Sequence, residues 1–581
     1  MLLPASKRRI KFLVGHDGFT GKSIYVDEND LKQHALIVGS SGSGKSRGVI
    51  ENLVRQIAEA QPKRGCLLLD PHGSAYENLK RHFANDPRLA KRVLVFDINE
   101  TEHFFGLNPF ERNHMNIDDQ VSQVIRSISK VAGDDLSEAA PRRERWQRNT
   151  FLLATRHGLT WPQIPYLLSD DELVMSFADA TNDFYLQAEW SQLSAIKRIQ
   201  DRWNLIEALL NRTRKFVNEH SALIFGQPRT SIPLREAMES GKIVLFNLLP
   251  KRVSRELSLM TAMLLCDLVI NTALQRVPDV SRPFYFIVDE AGELTSPDLA
   301  YSLNALRKFN VPCVFSVQEL EQLKDEHAKR LYSAALTDTQ VKFIFSTSYR
   351  DAEELCGELF AGKIRGDNVK HRNEHTLLVP KETTRKVKTE TWTEADHEAD
   401  GSMLVSGSGT ASGSGTAISQ NADLENLGST SITSFQASSS SSSGSSHTSG
   451  HTSSRGGSET EVPFYEYIRE MEESGRVFYS VEEMKERFIS WLVNSKQRHF
   501  QLKIRGKAPR LVRTPNIPDA YATRRMLRKL EQRTAIRYCL PQGDAQRLIE
   551  ARKRAVLTFD PQEVEHNTTD QNLCYEGVHE A

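Results

Sequence analysis

The sequence predicts an α/β protein with a mostly parallel central sheet, and three observations predict it. Short apolar runs ending in small or acidic residues recur at 34–39 (HALIVG), 65–70 (GCLLLD), 92–97 (RVLVFD), 242–247 (KIVLFN), 284–290 (FYFIVDE), 312–318 (PCVFSVQ) and 342–347 (KFIFST). These runs do not alternate apolar with polar residues, which is what strands covered on both faces look like. Between several of them lie segments with one-face helical spacing, such as Val49, Leu53 and Ile57, or Leu257, Met260, Leu264 and Leu268. Strand and helix in turn give a parallel sheet with helices on its faces. The third observation is size: 581 residues with 39% hydrophobic content can bury several cores, so a single small binding module is excluded.

Taken in order, residues 1–33 hold no apolar stretch long enough for a membrane span, and 34–110 read as the first part of the α/β core. Residues 111–235 contain no strand-like run but several helical stretches, among them DDQVSQVIRSISKV and SAIKRIQDRWNLIEALLNRTRKFV. A structureless loop of that length is improbable, so this segment is expected to be an inserted all-helical subdomain. The α/β core resumes over 236–380. Residues 381–460 are expected to be a disordered Ser/Gly-rich linker, because 401–460 holds 21 Ser and 10 Gly and cannot bury enough apolar area to offset ordering. A small C-terminal region follows over 461–558, with HFQLKI and RLVRT as candidate strands, and an acidic tail over 559–581. Net charge is zero, with 75 Lys+Arg against 75 Asp+Glu. This excludes a uniformly basic packaging protein and makes any polyanion site local. Local excess does occur: 496–556 carries 17 Lys+Arg against 4 Asp+Glu, with Arg524, Arg525, Arg528 and Lys529 at helical spacing. That stretch reads as a nucleic-acid surface or as a solvated basic helix. The six cysteines show no C-x-x-C pairing and read as reduced core residues.

The strongest chemical signal is GSSGSGKS, residues Gly39, Ser40, Ser41, Gly42, Ser43, Gly44, Lys45 and Ser46, which matches G-x-x-x-x-G-K-[ST] in full. It lies between an apolar run and a helical pattern, where main-chain N–H groups and a helix N-terminus can cradle phosphate. Lys45 would reach the β- and γ-phosphates and Ser46 would ligate Mg2+, so the cofactors expected are ATP and Mg2+. A second GKS at Gly21–Ser23 lacks the upstream glycine spacing and a following helix. Asp289 and Glu290 end an apolar run, which places Asp289 to hold the metal's hydration shell and Glu290 to polarise the attacking water. The bland alternative is an acidic turn after a strand. Gln318 ends the next run and is expected beside this acidic pair as a γ-phosphate sensor; an ordinary strand-terminal amide is the other reading. Asp70, with His72, is expected at the end of a strand adjoining the phosphate-loop strand. Charge developing on the γ-phosphate calls for a cation. Arg307 and Arg350 are the candidates, each also readable as a solvated surface arginine.

At these residues the sequence resembles a family. HALIVGSSGSGKS, LLLDPHGSAYENL, FGLNPF, GKIVLFNLL, FIVDEAGELTSPDLAYSLNALRKFNVPCVFSVQEL and KFIFSTSYRDAEELCGELFAGK are similar to the conjugative coupling proteins of type IV secretion systems, the TraG/TraD group of the HerA/FtsK superfamily. The resemblance implies a RecA-like, hexameric P-loop motor with an inserted all-α domain, which hydrolyses ATP to move single-stranded DNA with a bound relaxase toward a secretion channel. It departs from the family at the N-terminus, where full-type coupling proteins carry membrane helices. The resulting expectation is a cytoplasmic, ring-forming ATPase that translocates DNA and reaches the inner membrane through a partner. A HerA-like motor of DNA end processing or anti-phage defence, with a nuclease partner, is the alternative enzyme. An ATP-bound scaffold without turnover is the non-enzymatic one.

Overall fold

The computed structural model describes residues 10–559 except 62, 133–139, 197, 325–328, 361–363, 365–368, 396–407, 412–435 and 440–451. It divides into two units: residues 1–368 with 479–581, and residues 369–478.

The first unit is built on one eleven-stranded sheet. Its strands are β1 (Lys11–Asp17), β2 (Ser23–Asp27), β3 (Ala35–Val38), β4 (Gly65–Asp70), β5 (Val93–Asp97), β6 (Ile243–Asn247), β7 (Phe284–Val288), β8 (Cys313–Val317), β9 (Val341–Ile344), β10 (His499–Ile504) and β11 (Arg510–Arg513). They lie in the order β2-β1-β11-β10-β9-β3-β8-β7-β4-β6-β5. From β9 to β5 every pairing is parallel. From β9 to β2 every pairing is antiparallel. The sheet is therefore mixed: six of its ten pairings are parallel, and the four antiparallel ones were not among the expectations. All seven parallel strands come from the seven apolar runs, and their alternate residues feed two cores. Leu36, Val38, Leu67 and Leu69 face one side, and Ala35, Ile37, Cys66 and Leu68 face the other.

The hairpin β1–β2 carries a different pattern from the parallel strands. In β2 the burial alternates strictly, with Ile24 and Val26 inside and Ser23 and Tyr25 outside, as one-faced strands require. Residues 11–27 thus form a hairpin, followed by a short helix Glu28–Leu31, and the second GKS lies in and beside the β1–β2 turn, with Gly21 in the left-handed region. The candidate strands HFQLKI and RLVRT are β10 and β11, and they extend the main sheet from its β9 edge.

All described elements from 111 to 235 are helical, including Ile117–Ala132, Ala140–Arg156 and Ile199–Lys215. Phe110, Phe151, Phe216 and Phe225 gather around the buried Trp161. Arg255–Leu274 is the one helix among the described residues long and apolar enough to cross a membrane, and 78% of that stretch is buried inside the protein. The five described cysteines are free thiols, four of them buried; Cys574 lies outside the described residues. The second unit is a ribbon of two antiparallel strands, Val369–Ala395 and Thr452–Phe478, with a shorter pair, Ser408–Ala411 and Gln436–Ser439. Lys388 faces Glu459 across the ribbon at 3.1 Å. The boundaries expected at 380/381 and 460/461 fall inside these long strands; the rest of the Ser/Gly-rich stretch and residues 560–581 of the acidic tail lie outside the described residues.

Candidate active site

The carboxyl ends of the parallel strands set the site. β3 ends at Val38 and the chain turns through Gly39–Lys45 into a widened helical turn, Ser46–Glu51, that continues as the helix Asn52–Glu59. Gly42 and Gly44 take φ values of 74° and 105°, which a side chain would strain. Ser40 anchors the loop to β9: both its N–H and its hydroxyl donate to the Ser346 carbonyl, at 2.7 and 3.0 Å. Lys45 is 6% exposed, and its ammonium donates to the carbonyls of Gly39 and Ser40. Burial pulls its pKa down, and the charges of Glu290 and Asp289 oppose that.

The acidic pair stands two strands away. β8 lies between β3 and β7, so Gln318 is held between the phosphate loop and Glu290. The Ser46 hydroxyl donates to Asp289 Oδ2 at 2.7 Å. Asp289 is 1% exposed, and its Oδ1 is buried without a hydrogen-bond partner. A hydroxyl and a carboxylate that join each other and leave a buried oxygen unused form a hard-oxygen set that suits Mg2+ with its waters. Glu290 has φ 57°, a left-handed conformation rare for a residue with a side chain. Such a backbone costs about 1–3 kcal/mol and persists where the surroundings over-determine it. Here Gln318 Nε2 donates to Glu290 Oε1 at 2.8 Å, and His72 Nε2 stands 3.7 Å from the same oxygen, an ion-pair distance. Burial works to raise the Glu290 pKa, but His72, Gln318 and Lys45 together bring it below the usual carboxylate value. The same contact, led by Glu290, raises the pKa of His72.

Asp70 is not next to the phosphate-loop strand: β8 and β7 intervene between β3 and β4. Its buried carboxylate accepts from the N–H groups of His72, Gly73 and Tyr76 at 2.8–2.9 Å. Asp70 therefore shapes the turn that carries His72. Arg350 opens the helix Tyr349–Leu359 on the same edge as the phosphate loop, exposed, 3.3 Å from Glu321. Arg307 ends the helix Leu299–Lys308 on the opposite edge, where the Leu303 carbonyl meets His34 at the foot of β3. Neither arginine lines the cleft of this chain.

What lines it instead was not among the sequence candidates. A cleft of about 460 Å³ is walled on one side by the phosphate loop, His72, Glu290 and Gln318, and on the other by Gln497, Arg498 and residues 514–517. Gln497 Nε2 donates to the Gly42 carbonyl at 2.8 Å, and the Arg498 N–H donates to the Ser43 carbonyl at 2.9 Å. Arg498 is also left-handed, φ 66°, and its guanidinium holds the Thr514 and Pro515 carbonyls at 3.3 and 3.0 Å. The only sequence signal was the basic character of 496–556. The exposed Arg524, Arg525, Arg528 and Lys529 lie elsewhere, on the helix Arg524–Tyr538 that covers the β5 edge.

The helical insertion reaches the turn that follows Glu290. Lys130 donates to the carbonyls of Gly292 and Thr295 at 3.1 and 2.8 Å, and Arg126 pairs with Asp298 at 2.9 Å. Ser127 donates to Asp267 Oδ2 at 2.8 Å. Asp267 is buried, which pushes its carboxyl up to about 7.

Two family models match the chain in tandem: the central domain of helicase HerA over residues 14–269, and the type IV secretion-system coupling protein DNA-binding domain over residues 234–394. Over residues 14–394 the chain is therefore similar to the HerA/FtsK-type coupling-protein ATPases. None of the curated proteins matches it. Among solved structures it is similar to the unbound bacterial conjugative coupling protein TrwBdeltaN70, at 13% identity over 89% of this chain and 91% of that one, TM-score 0.46. It is similar to the plasmid coupling protein TrwB in complex with ADP and Mg2+, at 13% identity over 90% and 98%, TM-score 0.45. It is also similar to VirB4 of Thermoanaerobacter pseudethanolicus, at 13% identity over 59% and 86%, TM-score 0.40.

Proposed function

We propose that the chain is an ATP-driven DNA translocase of the coupling-protein type, hydrolysing ATP within a ring of identical subunits to move DNA, single strands preferred. The observation that carries the hydrolytic half is Glu290, held by Gln318 and His72 beside the phosphate loop and lowered in pKa, hence ionised at neutral pH. An ionised carboxylate in that place accepts a proton from attacking water. Gln318 fixes the carboxylate's orientation, and Lys45 meets the β- and γ-phosphates within the cradle Gly39–Ser46. Ser46 and Asp289 would hold Mg2+, which would supply charge neutralisation across the phosphates. Arg350, on the phosphate-loop edge and exposed, is favoured over Arg307 as the cation offered to a neighbouring subunit's nucleotide. DNA as the polymer is supported by the coupling-protein DNA-binding model over 234–394. A relaxase, a secretion channel or a nuclease is the expected partner class, and a cytoplasmic site of action with membrane recruitment through that partner suits the reading. The HerA match over 14–269 favours end processing as the second reading.

ATP turnover measured without polymer and with single-stranded DNA, duplex DNA or RNA across a salt series tests this. Stimulation by single strands, falling as salt rises, is the expected result. Preference for duplex ends favours the second reading. Turnover indifferent to every polymer sinks the translocase.

A further inference from the structure

The phosphate chain of a bound nucleotide runs along the loop from Lys45 toward the N–H groups at the start of the following helix, so its nucleoside must leave past Arg47 and Gly48. At that place the wall of the cleft is the segment 514–517, more than 460 residues later in the chain. Its position is fixed from several directions. A Cβ on Gly48 would stand 2.5 Å from Thr514 Cγ2, so the segment touches the helix at a spot only glycine permits. Arg47 donates to the Ile517 carbonyl at 2.8 Å and pairs with Asp519. Arg498 ties Thr514 and Pro515 to the strand β10. Within this fixed segment Ile517 is 8% exposed, while Asn516 is exposed on the cleft wall and its side-chain amide has no hydrogen bond among the described residues.

We propose that residues 514–517 are the nucleoside-binding half of the site and that Asn516 reads the base as adenine. A carboxamide offers one donor and one acceptor side by side, the complement of adenine's N6–H/N7 edge, whereas guanine's O6/N7 edge asks for two donors and its N1–H/N2–H pair for two acceptors. Pro515 and Ile517 supply apolar surface for the ring, and Arg47 and Arg498 place positive charge beside the α-phosphate. This rests on the cleft being a nucleotide site, as argued above, and adds where the nucleoside goes and what selects it.

The test measures Kd for ATP, GTP and inorganic tripolyphosphate, each with Mg2+, on the full chain and on Asn516→Ala, Asn516→Asp and Lys45→Ala. Asn516→Ala should weaken ATP about tenfold and leave tripolyphosphate within about twofold, since one bidentate base contact is lost and no phosphate contact is. Asn516→Asp presents two acceptors and should move the ATP-to-GTP preference toward GTP by about tenfold or more. Lys45→Ala should weaken all three ligands. ATP and GTP affinities unchanged in both Asn516 variants would overturn the base-reading role. Loss of tripolyphosphate binding in Asn516→Ala equal to its loss of ATP binding would overturn it as well, because the residue would then act on the loop. A parent chain that binds neither ATP nor tripolyphosphate would instead overturn the nucleotide reading itself, and this proposal with it.

Discussion

On the parallel flank of the cleft, Ser46 is bonded to Asp289 and Gln318 to Glu290, whereas on the antiparallel flank Gln497 and Arg498 bond mainly carbonyl oxygens and the Asn516 side chain bonds nothing among the described residues. One flank is a set of functional groups locked to each other; the other is main chain clamped in place with an amide left open. Groups that stabilise a transition state act best when their orientation is settled beforehand. Groups that recognise a ligand need a fixed backbone but free polar atoms. The sheet delivers both by changing strand direction at β9.

Substitutions can break this contrast, and the largest effect is expected on the locked flank. Glu290→Gln keeps the bond-accepting shape and removes the charge, so hydrolysis should fall about 10²–10⁴-fold while ATP binding persists, read by single-turnover hydrolysis beside equilibrium binding. Parental turnover at saturating ATP would assign the base elsewhere. Lys45→Ala should leave roughly one percent of turnover, a loss of about 2.7 kcal/mol from the transition state, with an unchanged thermal melt. Gly48→Ala attacks the seam between the flanks. The added methyl forces Thr514 outward at a cost of about 1–3 kcal/mol, and nucleotide affinity should weaken with it. Thr514→Ser in the same chain removes the closest clashing atom but leaves Thr514's Cβ position 2.8 Å from the new methyl, so it should restore both in part; absence of any rescue would mean the seam is not where the strain arises.

The smallest expected effect lies behind the locked flank, at Asp267. Its folded pKa is raised to about 7 from 3.8, so its contribution is complete below 3.8 and is lost as pH climbs toward 7. Asp267→Asn keeps an acceptor for Ser127 without the buried charge. Its melting temperature should therefore exceed the parent's at pH 8, and the gap should narrow steadily as pH falls through 7 and 5 toward 4. Identical pH profiles would show that Asp267 is not the titrating group.

Legibility from sequence divides along the same line. Continuous apolar runs located all seven parallel strands, and the phosphate loop, Asp289, Glu290 and Gln318 each sat at the end of one, so the locked flank could be assembled from local patterns. The strand order could not: nothing local says that β8 and β7 separate β3 from β4, and Asp70 was misplaced for that reason. β1 and β2 bury one face only, so KFLVGHD and SIYVD lack the continuous signal. Arg498 and Asn516 reach the cleft through tertiary pairing across more than 450 residues, for which a single sequence carries no pattern. The left-handed backbone of Glu290, which aims the carboxylate, follows from packing of the turn and not from residue type.

The β1 strand pairs with β11 through His16 and Arg513 and through Asp17 and Val512. On the ribosome these partners are separated by roughly 500 residues, which take on the order of 25–100 s to synthesise at about 5–20 residues per second. Through that interval the β1–β2 hairpin has emerged while its inner edge has no neighbour, and an open strand edge is an invitation to other chains. The strands that would cover that edge belong to the same late segment that walls the cleft. A nascent chain therefore becomes protected at its first strand and equipped at its nucleotide site in one closing event, and a chaperone or early interruption acting before that event would meet a molecule lacking both.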